Sequence, residues 1–278
     1  MKLSIITINY NNREGFQRTI NSVITQTFKD FEWIIIDGGS TDGSKELIEE
    51  YSQYITYWVS EPDKGIYNAM NKGIKVAKGE YLLFLNSGDY LKDDNIIGRV
   101  IYTEFVADVV YGSTVVVWNK DYHTIWDMPI ENVTGKLFFE GSLLHQASFI
   151  RRSLFEKFGV YDETYMIAAD WKFFTRAIVF GNSTIQRLPF TTAVYGLDGI
   201  SAKRKDIVSE ERKRGIDELW PPLISKDYER LETLDKMSEN ELVILALKIY
   251  KTNRYIRTIA RYTMTILVAV YSLIKKNK

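Results

Sequence analysis

The chain has no cysteine. That excludes disulfides, thiolate zinc sites and a cysteine nucleophile, and it fits a reducing compartment. It also has no charge excess: Lys plus Arg and Asp plus Glu are 36 each. A whole-protein basic field for nucleic acid is therefore absent, and any basic surface must be local. No run reaches the ~18 apolar residues that a spanning helix needs. Met1 to Thr7 is too short and too β-like for a secretory signal. These absences predict a cytoplasmic chain that is soluble or peripheral to a membrane. Two phosphate cradles are missing as well. There is no G-x-G-x-x-G after the first apolar run and no G-x-x-x-x-G-K-[ST] anywhere, which argues against a dehydrogenase or a P-loop enzyme. No internal repeat and no low-complexity segment is present.

What is there, over 278 residues with 45% hydrophobic and 26% charged side chains, suits one large α/β domain with a modest appendage. Leu3 to Ile8 and Phe31 to Ile36 are short, continuous apolar runs of the buried-strand type. Tyr54–Ser60 and Tyr81–Leu85 read as further strands. Between them, Glu14–Gln26, Ser44–Tyr51 and Ile66–Ala77 carry helical spacing, the last closed by Gly79 at a C-terminal cap position. Strand and helix thus alternate through the first ~90 residues, a pattern that predicts a doubly wound, mostly parallel sheet. Later, Val109–Trp118, Tyr122–Trp126 and Thr184–Phe190 read as strands, and Ser153–Phe158 and Trp171–Phe180 as helices. Thr191–Lys205 reads as a mobile loop. From about Asp206 the sequence turns charged and helical, which divides the chain into a domain over 1–205 and a helical extension over 206–278. In the tail, Ile256, Ile259, Ile266, Val270 and Leu273 recur at helical spacing among Arg254, Arg257, Arg261, Lys275, Lys276 and Lys278. A basic amphipathic helix over 254–278 would lie on a membrane surface, pack on its own domain, or pair two subunits.

In an open α/β sheet, ligands bind outside the carboxyl ends of the strands. Four ends here are polar: Thr7-Ile8-Asn9, Asp37-Gly38-Gly39-Ser40, Glu61-Pro62-Asp63-Lys64-Gly65 and Asn86-Ser87-Gly88-Asp89. Each cluster alone is ordinary turn chemistry. On one edge of a parallel sheet, a single ligand would touch all four. Asp89, at the end of a buried strand, is the candidate for a hard cation that neutralises a diphosphate.

These residues resemble, as an ordered set, the GT-A fold of family 2 glycosyltransferases. The resemblance runs from Leu3–Asn11 through Trp33–Ser44 and Asn71–Asp89 to His145-Gln146 and Ala168-Ala169-Asp170-Trp171, over residues 1 to about 200. The subset making bacterial exopolysaccharides of the colanic-acid kind looks most similar. The resemblance implies an inverting enzyme that moves a sugar from a UDP- or GDP-sugar to a glycan or lipid-linked acceptor. It implies that Thr7 and Asp37 hold the base and ribose, with Asn9 nearby and Asp63 and Lys64 beside them. It implies Mn²⁺ or Mg²⁺ on Asp89, with Asn86 and His145 at the same site, and Asp170 as general base. The chain departs from the usual motif, in which several acidic residues stand together. Here Asn86 and Gly88 occupy two of those places.

From the residues themselves other readings stand. Asp170 would also serve as an ordinary helix N-cap. His145 would be structural, or would contact phosphate, metal or acceptor. Arg151 and Arg152 would stand solvated at a helix start or pair with phosphates. Trp118, Trp126 and Trp171 would be sugar platforms or core. Tyr195–Ser201, with two glycine hinges, would be a lid whose closure brings Lys203, Arg204 and Lys205 to a diphosphate. Two other functions compete: a sugar nucleotidyltransferase, opposed by the glycine-poor Asn9–Arg13 segment, and a non-catalytic glycan or nucleotide-sugar binder, supported by the reduced acidic motif.

Overall fold

The computed structural model describes residues 2–119, 121–196 and 199–238, with scattered positions beyond. Two compact units are present, Met1–Leu219 and Trp220–Lys278. The first opens with β1 (Leu3–Asn9), α1 (Arg13–Ile24), β2 (Glu32–Asp37), α2 (Ser44–Glu50), β3 (Tyr57–Ser60), α3 (Ile66–Val76) and β4 (Tyr81–Phe84). The order of the first four strands in the sheet is β3-β2-β1-β4, all parallel. Both faces of β1, β2 and β4 are buried, which explains why they read as largely apolar runs without a regular polar alternation. Leu3, Ile5, Trp33, Ile35, Tyr81 and Leu83 share one core with Phe16, Ile20 and Val23 of α1 and Leu47 and Ile48 of α2. On the other face α3 lies so close that a Cβ at Gly73 would stand 2.5 Å from Ile6 Cγ2.

The second half extends the same sheet. It adds β5 (Tyr90–Leu91), α4 (Ile96–Tyr102), β6 (Val109–Val117), β7 (His123–Trp126), α5 (Gly135–Glu140), β8 (Ser148–Arg151), α6 (Ser153–Phe158), α7 (Ala169–Phe174) and β9 (Ile185–Gly196). β8 joins β4 antiparallel and carries the sheet on to β6, which pairs antiparallel with β8 and β7 and parallel with β9; β5 pairs antiparallel with β9. The sheet is therefore parallel at its nucleus and mixed beyond it. α8 (Ile200–Lys203) and α9 (Lys205–Leu219) complete this unit, and α10 (Pro222–Ser238) belongs to the second.

Three local readings are corrected. Gly79 is not a left-handed cap. The helix ends at Ala77 in extended backbone, and Gly79 is required by contact, since a Cβ there would lie 2.5 Å from Ser4 N. Thr191–Gly196 is not a loop, because its backbone pairs with β6 on one side and with β5 on the other. The helix read over Trp171–Phe180 begins at Ala169 and turns π-helical over Thr175–Phe180. No described helix is long and apolar enough to cross a membrane. Most of the basic tail, including Arg254, Ile256, Arg257, Ile266, Val270, Leu273, Lys275, Lys276 and Lys278, lies outside the described residues. Ile259 and Arg261 are described, helical and exposed.

Candidate active site

The register of the parallel strands sets the floor of the site. Asn9 stands beside Asp37, and Asp37 beside Ser60. Past β4 the pairing with β1 continues, with Leu85 N donating to Ile6 O and Ser87 N to Ile8 O, so the Asn86–Asp89 loop is delivered next to Asn9. A cleft of about 740 Å³ opens over these ends, within the range of small-molecule sites. Asn9, Asp63, Asn86, Asp89, His145 and Asp170 all line it, together with Tyr10, Tyr67, Tyr195 and Lys203.

Three expected contacts are placed elsewhere. Thr7 is buried under the floor, its hydroxyl oxygen accepting from Trp33 Nε1 at 3.1 Å. Asp37 is buried too. It accepts from Asn9 Nδ2 (2.8 Å), Ser40 Oγ (2.6 Å), Ser60 Oγ (2.7 Å) and the backbone of Gly39 and Ser40. Burial works to raise its pKa, but these donors together hold it below the ordinary carboxylate value. Asp37 thus orients Asn9, the Gly39–Ser40 turn and the end of β3 from below. Lys64 is exposed and outside the lining. Asp63 faces the cleft with Tyr10, the two converging over Gly38, where a Cβ would meet Asp63 Oδ2 at 2.5 Å and Tyr10 Cδ2 at 3.1 Å.

The Asn86–Asp89 loop is pinned by α1. Asn12 caps that helix on Gly15 N and donates to Ser87 O at 3.0 Å. Thr19 Oγ1 accepts from Gly88 N at 3.0 Å and donates to Asp89 O at 2.7 Å. Gly88 has φ of 107°, a region that L side chains rarely adopt. The missing acidic residue at 88 therefore has a conformational cause. Among the described residues no group of three or more His, Asp or Glu side chains is placed to hold a metal. A divalent cation would find one carboxylate here, Asp89, and would draw its other ligands from phosphate oxygens and water. Magnesium commonly binds in that way, so the residues fit a phosphate-completed site.

Across the cleft, Asp170 lies in the first turn of α7 and is not its N-cap, which is Ala168. Asp170 Oδ2 is 2.8 Å from His145 Nδ1, and Oδ1 accepts from Trp171 N at 2.9 Å. The Tyr67 hydroxyl shares its proton between Asp170 Oδ1, at 2.9 Å, and the Ile167 carbonyl. Burial pushes the Asp170 pKa up. The His145 hydrogen bond and charge, with Trp171 N and Tyr67, outweigh this and hold it below the ordinary value. For His145, burial pulls down, and the Asp170 bond and charge, with the Asp89 charge, push it above the ordinary value. Both shifts favour an ionised Asp170 at neutral pH.

Some supports were not legible as site residues. Glu211, on α9, accepts from the backbone N–H groups of Met166 (2.5 Å), Ile167 (2.9 Å) and Ala168 (3.0 Å), the residues just before α7. In sequence it is one charge on a charged helix. Tyr67 and Thr19 carry no signal beyond helical periodicity. Trp171 is core, donating to Phe138 O at 2.6 Å with Arg212 over its ring. Trp118 donates to Thr124 on the β6–β7 hairpin, and neither it nor Trp126 lines the cleft. Arg151 is engaged by Glu80 and Asp108, and Arg152 by Glu156. Arg204 pairs with Asp206, leaving Lys203 as the basic residue of that group in the lining. Leu197 and Asp198 of the expected lid lie outside the described residues.

Residues 4–169 match the family model for glycosyl transferase family 2. An uncharacterized glycosyltransferase of Mycobacterium tuberculosis is 35% identical over 184 residues, 63% of this chain and 68% of that one. A PGL/p-HBAD biosynthesis glycosyltransferase of Mycobacterium bovis is 32% identical over 55% of this chain and 60% of its own. Among solved structures, S. aureus TarS 1-349 in complex with UDP-GlcNAc superposes with a TM-score of 0.63 at 21% identity, covering 90% of this chain and 76% of that one. The Pyrobaculum calidifontis mannosyltransferase PcManGT, in complex with GDP-Man and Mn²⁺, gives 0.58 at 13%, covering 100% and 88%. With the strand-end cleft, the family match and the shared fold, the chain belongs to glycosyl transferase family 2 and is a glycosyltransferase.

Proposed function

We propose that the chain is an inverting enzyme that transfers a sugar from a UDP- or GDP-sugar to the hydroxyl of a glycan or lipid-linked acceptor. The observation that carries this reading is that Asp170 lines the same cleft as Asp89 and the strand-end residues Asn9 and Asp63. A base and ribose would lie along Asp63, Tyr10 and Asn9. Tyr10, 66% exposed, offers a ring face, and Asp63 and Asn9 offer hydrogen bonds. Asp37 serves this end by fixing Asn9. Asp89 would hold a Mn²⁺ or Mg²⁺, which supplies Lewis-acid stabilisation to the departing diphosphate. Lys203 would face the same phosphates.

Asp170 would take the proton of the acceptor hydroxyl as its oxygen attacks the anomeric carbon from the side opposite the diphosphate. Attack from that side inverts the configuration there. A carboxylate with a depressed pKa is a modest base, and its task eases as the attacking hydroxyl becomes acidic in the transition state. His145, Tyr67 and Trp171 N hold it in one orientation, which is the main requirement for such a group. The Lys and Arg residues of 254–278 support a peripheral contact with an anionic membrane face, where a lipid-linked acceptor would be met.

A thermal-shift panel of UDP, GDP and their sugars, with and without Mn²⁺, tests the donor reading. A ligand at 100 times its Kd adds about 2.7 kcal/mol to the stability of the native state. No shift with any of them overturns the assignment. Asp170→Asn should lower donor turnover about 10²–10⁴-fold, the range for a general base, and leave nucleotide binding intact.

A further inference from the structure

His145 stands between two polar groups of different kind. Its Nδ1 is 2.8 Å from Asp170 Oδ2, and its Nε2 is 3.2 Å from Asn86 Nδ2. An ionised carboxylate only accepts hydrogen bonds, so the proton on that side belongs to Nδ1. A neutral imidazole protonated on Nδ1 carries a lone pair on Nε2 and needs a donor there. The Asn86 amide supplies one. A carboxylate at 86 has no proton to give. It would demand a second proton on the ring and leave an imidazolium between two anions.

The surroundings make this arrangement rigid. Asn86 sits on the loop pinned by Thr19 and Asn12. The second oxygen of Asp170 is held by Trp171 N and Tyr67. His145 opens a short turn directly before β8, the strand that packs beside β4.

We propose that Asn86 is present in order to hold His145: its amide N–H sets the ring as the Nδ1–H tautomer, and that proton fixes Asp170 Oδ2 for proton transfer. Asn86 and His145 are positioning residues, and neither touches the reacting atoms. The oxygen Oδ2 keeps a lone pair for the acceptor proton. This inference rests on the reading of Asp170 as the base. It also accounts for the amide at a place usually acidic without assigning that amide to a cation.

The full chain, labelled with ¹⁵N-histidine, gives a direct test that needs no substrate. It contains two histidines, and His123→Asn assigns them. At a pH where the ¹⁵N shifts show the ring to be neutral, long-range ¹H–¹⁵N spectra should show His145 protonated on Nδ1. A ring protonated on Nε2 overturns the proposal. In Asn86→Asp the ring should stay doubly protonated at the same pH, and a neutral ring there also counts against it.

Kinetics provide the second arm, using hydrolysis of the UDP- and GDP-sugars that bind. His145→Gln and Asn86→Asp should lose about 10- to 100-fold in kcat, as loss of a supporting shell does, with donor KM little changed. His145→Asn, whose amide nitrogen falls near the place of Nδ1, should retain most of the turnover. Equal activity of the Asn and Gln variants, or turnover that rises in Asn86→Asp, overturns the chain of three. If Asp170→Asn is itself fully active, the base reading falls. If it is inactive while the other variants are normal, only this inference falls.

Discussion

Removal of the Glu211 carboxylate should loosen the approach to Asp170. Glu211 is the shared acceptor for three successive N–H groups, Met166, Ile167 and Ala168. Those residues lead into α7, and the Ile167 carbonyl also receives Tyr67. A hydrogen bond to a charged group contributes about 1.5–3 kcal/mol net. The bond to Met166 is exposed, and water replaces it at little cost; the other two are part-buried. Glu211→Ala should therefore cost on the order of 2–3 kcal/mol, allowing for partial resolvation. For a unit of this size that is a fall in Tm of about 4–12 °C. Glu211→Gln keeps an acceptor but no charge, and should lose roughly half as much. Urea and thermal unfolding, each followed with and without UDP, measure the cost. Donor hydrolysis should fall at the same time, because displacement of a catalytic group by about 1 Å costs up to ~10²-fold. An alanine variant within 0.5 kcal/mol of the parent (about the size of an ordinary surface change) and with unchanged turnover would refute the idea that α9 positions the base.

Asp89→Asn should abolish the Mn²⁺-dependent part of stabilisation by UDP and keep the metal-independent part, read as paired thermal shifts. Lys172→Met should destabilise the chain above pH 4. Lys172 bonds Asp162 and Glu218, and Asp162 is lowered to about 2 against burial by Lys172 and Thr164. A depressed carboxylate contributes stability above its unfolded pKa near 3.8 and loses it as pH falls through 2. The effect at pH 7 is about 1 kcal/mol after screening at this part-open site, and a pH series of urea midpoints should show the variant and parent converging in acid. Truncation after Asn253 should release the protein from vesicles containing anionic lipid and preserve the UDP shift; a truncated chain that still sediments with them overturns the tail reading.

The sheet nucleus was legible because its cause is local. The strands within Leu3–Ile8, Phe31–Ile36 and Tyr81–Leu85 are buried on both faces, and a strand in that position is apolar except where a polar side chain finds a buried partner, as Ser4 does in Glu32 and Thr7 in Trp33. The polar residues at their carboxyl ends follow from where such strands stop, so Asn9, Asp63, Asn86 and Asp89 could be named together from one topological rule. The π-helical turn after Phe174 and the strand pairing of Thr191–Gly196 were hidden, because each depends on partners distant in the chain.

By itself the sequence determined the alternating strands and helices of the first ~90 residues and which of their loops share an edge, since hydrophobic period and turn chemistry act over a few residues. Only the tertiary structure decided what each polar side chain meets. It turned Asp37 inward onto Asn9, Ser40 and Ser60, closed Trp33 over Thr7, put Trp171 in the core, and brought Glu211 to the backbone ahead of Asp170. The reason is that a buried polar group must find its partner wherever the chain delivers one. Asn86 shows both levels: the amide is visible in the sequence as a departure from an acidic pattern, and its use is visible only where His145 and Asp170 stand beside it.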